Sequence, residues 1–235
     1  MKTTPVTPAD IARSVIAVPP LARDADLRLN RAANLAIIKY LEAAGIRSLM
    51  YGGNAVFFNV SIGEYAEILD FLAESVGPDT WLLPSAGPDF GKLRDQVPIL
   101  KERPFPSVMV LPVTGPSVPT GVARGIRLFA EALGKSVVLY VKDDRTLTPE
   151  LIGKLVEDGL VVSVKYAVVR EDLFLLRILF LGDLPAKLLG GSCSIAQRLL
   201  LLRRQLVEGR LVHENDVSRL PGLQVIEVRE KIPRL

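Results

Sequence analysis

From residue 14 to residue 169, short apolar runs alternate with amphipathic stretches, and the two periods predict strands and helices in turn. Apolar runs at 14–21, 48–53, 80–86, 107–113, 136–141 and 160–169 predict six strands. Between them, helices are predicted over 27–45, 61–77, 90–103, 120–134 and 148–159. In the first helix, Leu29, Ala33, Ala36, Ile37, Tyr40 and Leu41 recur at helical spacing, and Gly45 is its stop. Ser61 with Glu64 three residues on forms a capping-box pattern, and Thr148 followed by Pro149 is a second start signal. Pro98 is expected to kink or split the helix over 90–103. Such alternation without a domain-like linker predicts a parallel sheet with helical crossovers, either a closed barrel of eight strands or an open doubly wound sheet.

The pattern weakens after residue 170. Helices are expected at 171–182 and 194–209, with strand candidates at 186–192 and 223–228 that would bring the count to eight. The whole chain of 235 residues is expected to form one domain, with 170–235 its least regular part.

The sixth strand contains an anomaly. Residues 160–169, LVVSVKYAVV, suit a strand buried on both faces, yet Lys165 lies in the middle. A buried ammonium must reach water, find a partner or lose its proton. Two readings stay open from the strand alone: a lysine that snorkels to solvent, or a desolvated amine available as a nucleophile toward a carbonyl.

Composition narrows the chemistry. A net charge of +3, spread along the chain with acids among the bases, lacks the basic stripe of a nucleic-acid binder. Cys193 is the only cysteine, which excludes a disulfide framework, and His213 is the only histidine, which disfavours a histidine metal site or a serine triad. No window reaches the length of a membrane span and no signal peptide is apparent, so a cytoplasmic location is expected and the Asn59-Val60-Ser61 sequon is expected to be idle. Gly134-Lys135-Ser136 ends like a phosphate-binding loop, but Phe129 stands where the upstream glycine belongs. Gly52-Gly53-Asn54-Ala55 lacks the spacing of a dinucleotide fingerprint.

The remaining candidates sit at the C-terminal ends of predicted strands, where βα barrels carry their active sites. Gly53 and Asn54 close the second strand, in a turn able to offer backbone N–H groups to a carboxylate. Tyr140 closes the fifth strand with a phenol that can move a proton, and Arg145 follows in its loop as a candidate carboxylate anchor. With Lys165, these parts suit a 2-keto acid whose ketone condenses with the amine.

On those residues the chain resembles the dihydrodipicolinate synthase / N-acetylneuraminate lyase family of (β/α)8-barrel aldolases and dehydratases. The match is Val137-Val138-Leu139-Tyr140, Arg145 five residues after the tyrosine, and Val161-Val162-Ser163-Val164-Lys165. The family's patterns there are L-Y-N, a G-R-T-G loop and V-G-I-K-E. The resemblance implies a (β/α)8 TIM barrel, a Schiff base between Lys165 and pyruvate or a related 2-keto acid, Tyr140 as proton relay, and Gly53, Asn54 and Arg145 as substrate-binding residues. It also implies that no dissociable cofactor or metal is needed, and that the chain forms a dimer or tetramer.

The departures are specific. The family's G-T-T-G-E segment becomes Gly52-Gly53-Asn54-Ala55-Val56, so two threonine hydroxyls are missing, and Tyr166 replaces the glutamate after the lysine. The region beyond residue 170 is shorter than the last barrel units require. A different expectation therefore stands beside the lyase: a catalytically impaired relative that binds a keto or sugar acid, or a protein partner.

Overall fold

The computed structural model describes residues 1–167 apart from 6–9, 11–12, 114 and 144; every element expected after residue 170 lies outside the described residues. Six strands are present: β1 (Ile16–Ala17), β2 (Ser48–Tyr51), β3 (Trp81–Ala86), β4 (Met109–Val110), β5 (Val137–Val141) and β6 (Val161–Tyr166). The helices between them are α1 (Arg31–Ala43), α2 (Ile62–Ser75), α3 (Phe90–Lys101), α4 (Pro119–Leu133) and α5 (Pro149–Glu157).

All neighbouring strands are parallel, and their order in the sheet is the order in the chain, β1 through β6. An open doubly wound sheet reverses its strand order at a switch point. This sheet winds one way only. With every crossover helical and right-handed crossovers the rule, this is the winding of a TIM barrel through six of its units.

Several local expectations shift for identifiable reasons. Helix α1 starts at Arg31 rather than residue 27, because Leu27 adopts a left-handed φ of 62° and Asn30 supplies the N-cap, accepting from the Ala33 N–H. Its inward side is also rotated from the predicted stripe: Asn34 and Ile38 are buried, whereas Tyr40 is 76% exposed. The buried Asn34 amide is satisfied by Ala22, accepting from its N–H and donating to its carbonyl, both at 2.8 Å, so it fixes the loop leaving β1.

Pro98 does not split α3, which runs unbroken through Lys101. The strand carrying Lys165 is not buried on both faces throughout, since Val162 is 49% exposed. The capping box at Ser61 and Glu64 and the Thr148–Pro149 helix start form as expected.

One continuous apolar core runs between strands and helices. Tyr51, Phe57 and Tyr65 make successive ring contacts, each with centroids 6.3 Å apart, and the Tyr65 hydroxyl donates to the Ser85 carbonyl at 2.7 Å. Helix α2 is thereby fastened to β3.

A second fastening is polar. The Glu42 carboxylate at the end of α1 accepts from the Gly77 N–H at 2.6 Å and the Thr80 hydroxyl at 2.5 Å. Burial pushes the Glu42 carboxyl up, but the bonds from Thr80, Gly77 and Lys39 outweigh it and hold the group below the ordinary glutamate value. Glu42→Ala leaves those two donors without their acceptor and is expected to cost about 1–3 kcal/mol. The carboxyl's lowered folded value makes its contribution full above the unfolded-state value and lost as pH falls through the folded one. Denaturant titrations of both proteins should therefore differ at neutral pH and converge in acid; an equal difference at both would refute this assignment.

Candidate active site

Alternation along a strand sends residues i and i+2 to the same side. In the β5–β6 ladder Tyr140 is the register partner of Lys165. The Lys165 Nζ atom lies 4.2 Å from the centroid of the Tyr140 ring, over its face. Lys165 itself is 5% exposed. Burial disfavours its ammonium form, and the positive charge of Lys142 adds to that, so the amine titrates below the ordinary lysine value. A phenol face stabilises a nearby cation and works against this shift, but the net direction is toward the neutral amine.

The phenol also reaches the turn after β2. A methyl group built on Gly53 would sit 3.8 Å from Tyr140 Cε1 and 4.0 Å from its hydroxyl oxygen, an ordinary contact distance. Tyr140 thus spans the space between Lys165 and the Gly53 backbone. At the neighbouring Gly52 a Cβ would lie 2.4 Å from the Met109 methyl and 3.2 Å from the Ser85 hydroxyl, so a side chain there would need the end of Met109 to shift. Among the described residues, the Gly53 and Asn54 N–H groups donate no hydrogen bond, while the Gly52 and Gly53 carbonyls accept from Phe57 and Val56. Val56 holds this turn with a left-handed φ of 54°, a conformation costly for a β-branched residue.

The five residues singled out from sequence separate here. Lys165, Tyr140 and Gly53 come together. Asn54 is exposed at the edge, its amide donating to the Val18 carbonyl at 3.4 Å. Arg145 is not brought to the amine: its side chain is 89% exposed and paired with Asp143 at 2.6 Å. The Arg145 side chain holds the Asp143 carboxyl down to about 2, and the pair stands in solvent. The Asp143 side chain also accepts from the Arg145 N–H, so a local turn competes successfully for the guanidinium.

Two polar groups near this site were passed over in the sequence. Ser85 is buried on β3 and its hydroxyl has no partner among the described residues. Lys142 stands two residues beyond Tyr140; the i, i+2 rule applied to the end of β5 would have flagged it. A cavity of about 290 Å³ lies between the sheet and the starts of α3 and α4, walled by Phe90, Leu111, Val122, Leu139 and Tyr140 among others, and Lys165 is not in its lining. Among the described residues there is no cluster of three or more potential metal ligands, and no helix is long and apolar enough to cross a membrane.

A singly wound parallel βα sheet is the architecture of a TIM barrel. Solved structures agree with this at the level of fold. The chain is similar to a dihydrodipicolinate synthase from Bacillus clausii, with a TM-score of 0.65 and 20% identity over 77% of this chain and 61% of that one. It is similar to a 2-keto 3-deoxygluconate aldolase from Picrophilus torridus, with a TM-score of 0.59 and 17% identity over 73% and 64% of the two chains. A sialic acid aldolase from Ruminococcus gnavus matches with a TM-score of 0.59 and 10% identity over 84% of this chain and 77% of that one. The chain has the TIM-barrel fold of the dihydrodipicolinate synthase and N-acetylneuraminate lyase structures, and it covers 57% and 61% of the synthases from Oceanobacillus iheyensis and Bacillus clausii. No family model matches the sequence. No curated protein matches it either.

Proposed function

We propose that the protein is a class I lyase, an aldolase or dehydratase that acts on pyruvate or a related 2-keto acid through an imine on Lys165. The observation that carries this reading is the buried Lys165 amine, held against the Tyr140 ring at the C-terminal end of a parallel strand. The neutral amine attacks the ketone carbon to form a carbinolamine. The Tyr140 phenol gives a proton to the departing hydroxyl, water leaves, and the nitrogen becomes an iminium. In a 4-hydroxy-2-keto acid the C3–C4 bond then breaks and its electron pair moves into the C2 iminium, giving an enamine, while the Tyr140 phenolate takes the C4 hydroxyl proton and C4 departs as an aldehyde. Protonation of the enamine carbon and addition of water then release the ketone and restore the amine. The Gly53 and Asn54 N–H groups, which donate to nothing among the described residues, suit the substrate carboxylate in this scheme. The iminium is itself the electron sink, so the scheme uses no metal or cofactor.

Borohydride reduction in the presence of pyruvate and other 2-keto acids, read by intact mass, tests the proposal. One reduced adduct per chain is expected, absent in Lys165→Ala. The second reading, a non-catalytic binder of keto or sugar acids or of a protein partner, is favoured by the engagement of Arg145 with Asp143 and by the missing hydroxyls at Gly53 and Asn54. A folded protein that traps no keto acid would select it. The dimer or tetramer implied by the resemblance is checked by light scattering on the same preparation.

A further inference from the structure

The carboxylate of a 2-keto acid is bonded directly to the carbon that joins the lysine, so it must lie within a few ångströms of Nζ. The arginine expected to receive it is turned to solvent and held by Asp143. Another cation is better placed. Lys142 follows β5, and the ladder continues beside it, the Ala167 N–H donating to the Val141 carbonyl at 2.9 Å. Carried one residue past the end of β5, strand alternation would put Lys142 on the side occupied by Tyr140, the side that faces Lys165.

Lys142 is exposed, and it makes no ion pair or hydrogen bond among the described residues. It is also close enough for its charge to act on Lys165. We propose that Lys142 is the carboxylate-binding cation of this site, in the part that the resemblance assigns to Arg145; the inference rests on the imine reading above.

The arrangement has a chemical logic. A cation beside a nucleophilic lysine disfavours the protonated nucleophile. The same cation attracts an anionic ketone and disfavours a cationic one. A single side chain therefore selects 2-keto acids over neutral ketones and keeps the amine reactive toward them. Tyr140 of β5 lies against the Lys165 amine, and Lys142, the residue after β5, acts on it through its charge.

Trapping rates in borohydride, measured against pyruvate concentration and against its uncharged methyl ester, separate the two effects. Lys142→Met is expected to raise half-saturating pyruvate roughly ten- to a hundred-fold, the scale of a lost hydrogen bond to a charged group. Half-saturation for the ester should not change, while the pH midpoint of its trapping should move upward. Lys142→Arg should restore pyruvate binding. Imine formation in the wild-type protein with pyruvate binding unchanged in Lys142→Met, or weakened instead by Arg145→Ala, overturns this inference alone. A wild-type protein that traps neither pyruvate nor its ester overturns the imine reading and this inference with it.

Discussion

Lys165→Met is expected to abolish the borohydride-trapped adduct and to lower turnover on the order of 10⁶-fold, the scale seen when a covalent enzyme loses its nucleophile. Methionine keeps the length and much of the volume of the side chain, so the wall beside Tyr140 stays filled. The same variant should be more stable than wild type at neutral pH. Burial and the Lys142 charge lower the folded-state value of Lys165 below its unfolded one. Between those two values the unfolded chain holds a proton that the native protein has released, so wild-type stability rises with pH across that window. Below the folded value the full penalty of the buried ammonium remains. The stability gap between variant and wild type is therefore largest below the folded value and closes toward about pH 10, the ordinary lysine value. Loss of activity together with gain of stability is the signature of a group retained for chemistry rather than for packing. A variant that is both inactive and less stable would instead make Lys165 a structural residue.

The order of strands and helices up to residue 167 was legible because each element carries its own local signal: continuous apolar runs, N-caps at Ser61 and Thr148, a stop at Gly134. What failed was decided by tertiary contacts. Asn34 is buried because it closes the loop after β1, and a polar residue at that position misdirected the predicted stripe of α1. Pro98 is accommodated because α3 continues around it to Lys101, with the Glu102 N–H reaching back to the Pro98 carbonyl at 3.4 Å.

The site divided along the same line. Lys165 and Tyr140 stand on adjacent strands, and pairing of β5 with β6 brings them together as register dictates. Arg145 stands in a loop, where an acid two residues away in sequence captured it. No periodicity rule predicts that capture. Strand residues were readable because the ladder fixes their direction; loop residues were not.

Tyr140→Phe keeps the ring over the amine and removes only the hydroxyl, so it separates packing from proton transfer. Carbinolamine dehydration needs a proton delivered to the departing oxygen, and general acid catalysis of that kind contributes about 10²–10⁴-fold. Turnover should fall by that factor while half-saturating substrate changes little. Imine trapping should slow but still reach one adduct per chain, because the amine and its desolvated surroundings remain. Filling the space beside Gly53 gives a complementary outcome: a methyl there would rest against the ring edge and the phenol oxygen at ordinary contact distance, so Gly53→Ala should leave Tyr140 in place and only exclude solvent beside its hydroxyl. A rate loss in Gly53→Ala that disappears when combined with Tyr140→Phe would mean both changes act through one phenol. Independent, additive losses would instead locate the proton donor elsewhere, and the Ser85 hydroxyl, which has no partner among the described residues and lies 3.2 Å from a Cβ built on Gly52, is the next group to replace.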